Sequence, residues 1–473
     1  MHRLALLALL LLIAVPAVAQ PMEAPAIPAA QTVFDSGLRS YQVGQYGAAA
    51  QSFGRAANDF EYHQQTTAAR LMLGKALYAA GNLEGAASEM TAFLRAYPKS
   101  RYVDDARAIR RAAESRLEAL AAVPDPTDVG IALPMSDTDV VFTQALFNGV
   151  RLAVDEHNAA GPAQPIRMVF RDTQGTERGA TAAVESLAGS GVELVIGPLY
   201  SEEAVAAGAA AERERVVLIA PLATEERVSE GRRYVFQANP TFDQRGRAMA
   251  RFVASADPSR RVGVIARVGT FGTTMAASFQ DEFERLGGTV PFVELLPNEG
   301  AWFRLPEILG DSLEMVDALY LPVSGAKAPD AAAGALRGLD QMLPEGERGR
   351  IRVFGNTEWG QLDASRQRAS QYGTAFTSDF HVDERGAAAS AFVERYRTLA
   401  GVAPDRLAYA GYDITKMALA QLGERRSEES LAETMRGARP YEGLGHRIYF
   451  GGGSVNEAMF ILGFRDGRLV VIE

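Results

Sequence analysis

Short apolar runs alternate with helical patterns along the carboxy-terminal three quarters of the chain. The runs are VGIALP (129–134), IRMVF (166–170), VELVIG (192–197), VVLIAP (216–221), VGVIARVG (262–269), VPFVELL (290–296), DALYLPV (317–323) and IRVFG (351–355). Between the first two, apolar residues recur at helical spacing at Phe142, Leu146 and Val150. Apolar strands that alternate with helices are typical of parallel sheets buried on both faces, so the pattern predicts an α/β fold. The alternation restarts after Pro240, which predicts two similar lobes.

The amino-terminal segment 31–122 has no strand pattern and repeats itself. Identical residues recur 37 positions apart at Gly37 and Gly74, Tyr41 and Tyr78, Gly44 and Gly81, and Ala49-Ala50 and Ala86-Ala87. The segment resembles tetratricopeptide repeats, whose usual period is about 34 residues. We expect an all-α domain of two repeats closed by a helix over 102–120. Such arrays usually present a groove to another protein.

The first residues have the pattern of an export signal. A basic start at 1–3 precedes the apolar run 4–15 and the small residues Ala17-Val18-Ala19, which predicts a cleaved signal peptide over 1–19. Residues 20–30 are rich in Pro and Ala and are predicted to be a linker. The sequence contains no cysteine, which excludes disulfides and a lipid-carrying cysteine. We therefore expect a soluble periplasmic protein that is not a lipoprotein.

Composition excludes several classes of function. The net charge of −10, without a cluster of Lys and Arg, argues against nucleic-acid binding. The five histidines lack metal-ligand spacing, and no nucleophile elbow or phosphate-binding loop is present. We therefore expect no metal, no cofactor, no catalytic residue and no enzymatic activity. A length of 473 residues predicts two or three domains, and Pro124-Asp125-Pro126 separates the repeats from a domain over 126–473.

Hydroxyl residues follow three strands predicted for the first lobe. Ser136, Ser201 and Thr224 each come a few residues after an apolar run ends. The carboxyl ends of parallel strands meet at one edge of a sheet, where helix N-termini point backbone N–H groups outward. The hydroxyls and backbone amides of these three residues are therefore expected to converge on a small polar or anionic group. Alternatively, Ser201 and Thr224 are helix N-caps, a role that both residue types favour.

Several motifs in order give the domain a family resemblance. They are GIALPMS, FNGVRLAVDEHNAAG, VFRDTQG, VIGPLYS, IAPLATEERVSEGRRYVFQANP, FGTTMAASFQDEFERLGG and LAYAGYDITKMALAQL. From Asp128 onwards the chain resembles type I periplasmic binding proteins of the leucine/isoleucine/valine-binding class. The resemblance implies two lobes that close on a ligand in a cleft. It places the first lobe at about 126–240 and 376–447, and the second at about 241–375 and 448–473.

The resemblance also implies which residues hold the ligand. In the family, the loops that match Ser201 and Ala223-Thr224 bind the carboxylate and amine of an amino acid. The second lobe adds an aromatic residue that matches Tyr320 and an acid that matches Glu358, as the partner of the ligand's ammonium group. Trp359 is expected beside it as an apolar wall.

Two functions follow from this architecture. The first is a solute-binding protein for an amino acid or similar ligand, working with an inner-membrane permease of an ABC transporter. The second is a non-enzymatic envelope regulator, since repeats joined to such a domain resemble outer-membrane activators of penicillin-binding proteins, which would contact a cell-wall synthase. Two features favour the second. A transporter's binding protein rarely carries an amino-terminal repeat array. In addition, Glu202-Glu203 and Glu225-Glu226 follow the carboxylate loops and weaken their positive field, and no arginine lies on these loops to compensate.

Overall fold

The computed structural model describes residues 24–121, 126–135, 140–162, 164–257, 259–424 and 430–473. The predicted signal peptide, most of the Pro124–Pro126 boundary and Ser136 lie outside the described residues. Contacts divide the chain into two compact units. One contains the described residues up to Arg39 together with Ala49–Ala113, and the other contains Ser40–Ala48 and Glu114–Glu473.

The amino-terminal segment is helical, which confirms the predicted all-α region. Its helices are α1 (Pro28–Gln42), α2 (Tyr46–Asn58), α3 (Thr66–Ala79), α4 (Leu83–Ala96) and α5 (Val103–Ala121). The first helix begins at Pro28, inside the segment predicted as a linker, because proline is well tolerated in a first helical turn.

The 37-residue spacing reflects helix packing. A Cβ atom at Gly37 would lie 2.7 Å from the ring of Phe53, and one at Gly74 would lie 2.3 Å from the side chain of Met90. Phe53 and Met90 are themselves 37 positions apart, and both are buried. Each repeat therefore packs a large side chain of its second helix onto a glycine of its first.

The second unit contains two large sheets, the helices that cover them, and a small two-stranded antiparallel sheet of β11 and β12. Its strands are β1 (Thr127–Leu133), β2 (Ile166–Asp172), β3 (Leu194–Ile196), β4 (Val217–Ala220), β5 (Val235–Gln237), β6 (Val262–Arg267), β7 (Val293–Leu296), β8 (Ala318–Tyr320), β9 (Arg352–Gly355), β10 (Ala375–Ser378), β11 (Tyr441–Glu442), β12 (Arg447–Ile448), β13 (Phe460–Arg465) and β14 (Arg468–Val471). Its helices are α6 (Val140–Ala159), α7 (Glu177–Gly189), α8 (Ser201–Glu214), α9 (Phe242–Ala256), α10 (Phe271–Arg285), α11 (Leu305–Leu309), α12 (Ala328–Met342), α13 (Arg366–Gln371), α14 (Ala387–Ala400), α15 (Arg406–Glu424) and α16 (Leu431–Gly437).

The first lobe is built on a parallel sheet in the order β2-β1-β3-β4-β5. Its strands are buried on both faces, with α6 and α15 on one side and α7 and α8 on the other. Helices α6 and α15 approach closely, since a Cβ at Gly149 would lie 2.0 Å from the carbonyl of Ala408. The layered α/β architecture confirms the predicted fold class.

The second lobe is built on a sheet in the order β14-β13-β10-β9-β8-β6-β7. Strands β6 to β10 run parallel, and β13 pairs antiparallel with β10 and β14. Helices α9 and α10 cover one face and α12 covers the other. In the described part of the chain, no helix is long and apolar enough to cross a membrane.

The chain passes between the two lobes near β10 and again before β13. Strand β10 pairs with β9 and β13, so it belongs to the sheet of the second lobe up to Ser378. Phe450 packs against Phe236 at 5.0 Å between ring centroids, and Val455 pairs with Gln237. The first lobe therefore continues beyond 447, and the second resumes at β13.

Candidate functional site

The two hydroxyl loops of the first lobe contact each other. Helix α8 begins at Ser201, and its N-cap position is occupied by Tyr200. The backbone N–H of Thr224 donates to the hydroxyl oxygen of Ser201 at 3.2 Å. Thr224 itself precedes Glu225, the N-cap residue of the 3₁₀ helix Glu226–Val228. Neither hydroxyl residue is therefore an N-cap, and the structure brings the two loops together at the strand ends.

Gln237 fixes the second of these loops from the last strand of the sheet. Its amide nitrogen donates to the carbonyl of Ala223 at 3.1 Å and to that of Glu225 at 3.0 Å. Its amide oxygen accepts from the hydroxyl of Ser229 at 2.6 Å. The Gln237 side chain is fully buried, so these bonds hold the loop without competition from water.

The acidic residues after the loops are partly neutralised. Glu203 is buried and accepts a hydrogen bond from Thr173 at 2.5 Å. Glu225 forms an ion pair with Arg227 at 2.5 Å. For Glu225 the expectation that no arginine compensates the acids is therefore wrong, because the 3₁₀ helix turns Arg227 back toward it. Glu202 and Glu226 form no ion pair with any described residue.

Tyr320 closes β8 in the second lobe and is fully buried. Its ring stacks on Phe279 with 4.4 Å between centroids. Burial raises its pKa well above the usual value, and the nearby charge of Glu358 raises it further. The phenol is thus a neutral hydroxyl at physiological pH, able to donate a hydrogen bond.

Glu358 lies on the 3₁₀ helix Thr357–Gln361 that follows β9. One carboxylate oxygen accepts from the side-chain amide of Asn356 at 2.5 Å. Burial raises the pKa of Glu358, while the charge of Arg245 acts in the opposite direction. The charge of Glu358 also acts on the Tyr320 phenol, so these two predicted site residues are electrostatic neighbours.

Trp359 does not form the expected apolar wall. Its side chain is fully buried in the core of the second lobe, and its indole N–H donates to the carbonyl of Leu321 at 2.9 Å. Gly355 makes room for this ring, since a Cβ there would lie 2.2 Å from it. The side chain turns away from the strand end because the core offers more apolar contact.

A buried ion pair joins the lobes at their crossovers. Arg245 donates to Asp379 at 3.1 Å, and Arg406 donates to the same carboxylate oxygen. Arg245 also bonds to Asn239 at 3.1 Å and to Thr357 at 3.2 Å. Burial alone would raise the pKa of Asp379, but the two arginines outweigh it and lower the pKa to about 2.

These hinge residues were missed from the sequence. Arg245 and Asp379 are 134 positions apart, and each looks like an isolated charge near a strand or helix end. In the sequence, only Asn239-Pro240, shortly before Arg245, indicated that the chain crosses from the first lobe to the second. The bonds of Arg245 to Thr357 and Asp379 hold the carboxyl ends of β9 and β10 next to the segment that follows β5.

Buried polar atoms without a hydrogen-bond partner cluster at the ends of three neighbouring strands of the second lobe. Among the described residues, these atoms are Tyr320 Oη, Ser324 Oγ, Asn356 Oδ1, Thr377 Oγ1 and Asp379 Oδ1. Buried polar groups are almost always paired, so such a cluster calls for an explanation such as a bound molecule. Sequence reasoning singled out only Tyr320 from this set.

The site residues form two groups. Ser201, Ala223 and Thr224 lie together in the first lobe, and Tyr320 and Glu358 lie together in the second. No hydrogen bond between described residues joins one group to the other, and Arg245 lies at the hinge between the lobes. Throughout the described ranges, no group of three His, Asp or Glu side chains is placed to hold a metal ion.

Both parts of the chain match known protein families. The periplasmic binding protein family matches residues 126–468. A curated relative, the Leu/Ile/Val-binding protein homolog 3 of Brucella melitensis, is 23% identical over 365 residues, which cover 75% of this chain and 95% of that protein. An outer membrane lipoprotein family matches residues 27–133, the region of the helical repeats.

Solved structures share the fold. A putative branched-chain amino acid ABC transporter protein from Rhodospirillum rubrum has a TM-score of 0.61 at 23% identity, covering 73% of this chain and all of that one. An ABC transporter substrate-binding protein from Desulfitobacterium hafniense, solved in complex with Leu, has a TM-score of 0.52 at 21% identity and covers 74% of this chain and all of that one. The family and the curated relative are named as binding proteins, in agreement with the prediction of a non-enzymatic domain. The match over 126–468, together with the two-sheet fold, shows that the chain belongs to the periplasmic binding protein family.

Proposed function

We propose that the protein binds an amino acid or a similar small polar molecule in the cleft between its lobes. Ser201, Ala223 and Thr224 contact the ligand from the first lobe, and Tyr320 and Glu358 contact it from the second. The protein acts in the periplasm as the substrate-binding component of an ABC transporter, delivering the ligand to an inner-membrane permease.

The cluster of unpaired buried polar atoms in the second lobe carries this proposal. Leaving a buried polar group unpaired costs about 1–3 kcal/mol. A ligand that forms hydrogen bonds with the five atoms at these adjacent strand ends would remove this cost. Asn356 Oδ1 and Asp379 Oδ1 only accept hydrogen bonds, which suits a donor such as an ammonium group, whereas the three hydroxyls can donate as well as accept and so also suit acceptors on the ligand.

The charges on the two lobes support one orientation of the ligand. Glu358 is a partly buried carboxylate without an ion-pair partner among the described residues, which suits an ammonium group. At the first lobe, the start of α8 presents backbone N–H groups beside the Ser201 hydroxyl, which suits a carboxylate. Arg227 reduces the opposing field of Glu225. The ligand's carboxylate therefore faces the first lobe and its ammonium group faces the second.

A melting screen tests this function. The purified protein is heated with each of the twenty amino acids, short peptides and cell-wall fragments in turn. A ligand whose concentration is about a hundredfold above its Kd adds roughly 2.7 kcal/mol to the free energy of unfolding, which raises the melting temperature. A screen without any shift contradicts the receptor function.

A second function is supported by the helical repeats. Their region, 31–122 in the proposed domain division, lies within the match to an outer membrane lipoprotein family, and helical repeats commonly bind proteins. In this alternative the protein is an envelope regulator that acts on peptidoglycan synthesis through protein contacts, resembling activators of penicillin-binding proteins. Capture of a purified cell-wall synthase by the full chain, lost when the repeats are removed, supports this function. Absence of capture contradicts it.

The proposed localisation follows from the same features. Export through a cleaved signal peptide at 1–19 places the mature protein in the periplasm, where the family acts. The sequence has no cysteine to carry a lipid, so the protein is proposed to be free of a lipid anchor even though its repeats match a lipoprotein family.

A further inference from the structure

A polar recess on the first lobe contains three arginines and two glutamates. It has a volume of about 570 Å³. The residues that matter to its chemistry are Glu226, Glu230, Arg232, Arg233, Arg436 and Ser454. They come from the 3₁₀ helix after β4, the loop before β5, helix α16 and the last crossover. We call it the arginine recess.

Two of its three arginines have no acidic partner. Arg233 is paired with Glu433. No carboxylate in the described part of the chain lies within ion-pair distance of Arg232 or Arg436, and both side chains are half-buried. Burial lowers the pKa of each guanidinium, and the neighbouring charge of Arg233 lowers that of Arg436 further. The more distant charge of Glu212 acts on both pKa values in the opposite direction, joined at Arg436 by that of Glu433. The recess therefore contains two partly desolvated cations that an anion would stabilise.

The two guanidinium groups are held firmly in place. Arg232 donates to the backbone carbonyls of Val205 and Val228 at 2.9 and 2.8 Å. Arg436 donates to the carbonyl of Ala432 at 3.1 Å, to the carbonyl of Arg233, and to the hydroxyl of Ser454 at 3.2 Å. Fixed donors bind an oxyanion better than mobile ones, because less side-chain entropy is lost.

The remaining donors of these arginines are available to a ligand. A guanidinium has five N–H donors. The bonds within the protein use both donors of Nη1 in Arg232, which leaves Nε and Nη2, and three donors in Arg436, which leaves Nε and one donor of Nη1. Planar donor groups of this kind match phosphate and carboxylate oxygens in pairs. The arginine recess is thus equipped for an oxyanion.

The acidic side of the recess restricts which anion fits. Glu226 and Glu230 are exposed and form no ion pair with any described residue. Partial burial raises the pKa of Glu226, and the charges of Asp243 and Glu230 raise it further. Two acids near the opening weaken the attraction for an anion that lacks a cationic group and favour a ligand that carries a cationic group on its outer side.

We propose that the arginine recess binds the phosphate group of a small molecule, with Arg232 and Arg436 as charged donors. An amine on the same molecule is directed toward Glu226 and Glu230. Neither Ser201 nor Thr224 lines the recess, and the proposal does not rest on the function assigned to the cleft.

Calorimetric titration with two probes tests the proposal. Inorganic phosphate and O-phosphoethanolamine are titrated into the full chain, with sodium chloride used to hold the ionic strength constant. We expect both to bind, and O-phosphoethanolamine to bind about threefold more tightly because its ammonium group reaches the acidic side. Absence of heat with both probes at millimolar concentration overturns the proposal.

Two variants with opposite expected effects separate ligand contact from misfolding. Arg436→Gln is expected to weaken phosphate binding about tenfold or more, since it removes a charged donor. Glu230→Gln is expected to strengthen phosphate binding a few-fold and to reduce the advantage of O-phosphoethanolamine. Arg178→Gln, an exposed arginine outside the recess, is the matched control and should leave both affinities unchanged. Unchanged phosphate affinity in Arg436→Gln overturns the assignment.

Discussion

The hydroxyl oxygen of Ser201 accepts a hydrogen bond from the backbone N–H of Thr224 at 3.2 Å. One side chain therefore joins the loops that follow β3 and β4, although 23 positions separate the two residues. The loops form one surface at the carboxyl edge of the first sheet, where ligands bind in open α/β folds.

This bond predicts an asymmetry between two alanine variants. Ser201→Ala removes the acceptor and should lower the free energy of unfolding by about 1 kcal/mol. Thr224→Ala keeps the backbone donor and should change it by less than about 0.5 kcal/mol. Urea denaturation of the two variants measures the difference. Thr181→Ala, which changes an exposed helical hydroxyl bonded to Glu177, is the control. Equal losses in Ser201→Ala and Thr224→Ala would contradict the geometry.

The ionised Glu358 side chain is expected to destabilise the protein at neutral pH when no ligand is bound. Its pKa is raised by burial, so the folded state holds the proton more tightly than the unfolded state does. Its contribution to stability is therefore present below the unfolded pKa and is lost as the pH rises through the folded pKa. Glu358→Gln should raise the melting temperature at neutral pH and have a smaller effect near pH 4. A lower melting temperature at neutral pH would show that the carboxylate is stabilised within the protein.

Asp379 is expected to have the opposite dependence on pH. Its pKa is lowered from the usual 3.8 to about 2, so its contribution to stability is present above the unfolded pKa and is lost as the pH falls toward 2. Asp379→Asn should destabilise the protein by about 3–5 kcal/mol, because it leaves Arg245 buried without its charged partner. Asp363→Asn, whose side chain is 89% exposed, should cost less than about 1 kcal/mol. Similar losses in the two variants would show that the hinge ion pair is not important for stability.

The helical repeats allow a test of their packing. Gly37→Ala places a Cβ 2.7 Å from the buried ring of Phe53 and should destabilise the helical unit by about 1–3 kcal/mol. Gly54→Ala meets only Leu73 at 4.0 Å and should stabilise helix α2 by up to about 1 kcal/mol. Urea denaturation followed by circular dichroism compares the two. Stabilisation by both substitutions would contradict the glycine packing.

The fold was largely predictable because its strands and repeats leave local patterns. Apolar runs such as 194–196 and 217–220 are fully buried strands, and the spacing of Gly37 and Gly74 reflects helix packing. The placement of the last strands was less predictable, because β13 joins the sheet of the second lobe through pairing with β10, which is distant in the chain.

The candidate site was predictable only where it follows strand ends. Ser201 and Thr224 were found in this way, but their mutual bond depends on the distance between two loops in space. Arg245 and Asp379 are joined by tertiary structure alone. The orientation of Trp359 was not predictable, because a tryptophan after a strand can face either the core or the solvent.

Titration calorimetry with each of the twenty L-amino acids tests the proposed cleft most directly. We expect at least one to bind the full chain, and its affinity to fall about tenfold or more in both Ser201→Ala and Glu358→Gln, since each loses a bond to a charged group. Thr181→Ala should bind that amino acid as the unchanged protein does. Absence of binding by all twenty, or an affinity in Ser201→Ala and Glu358→Gln equal to that of the unchanged protein, would contradict an amino-acid site formed by these residues.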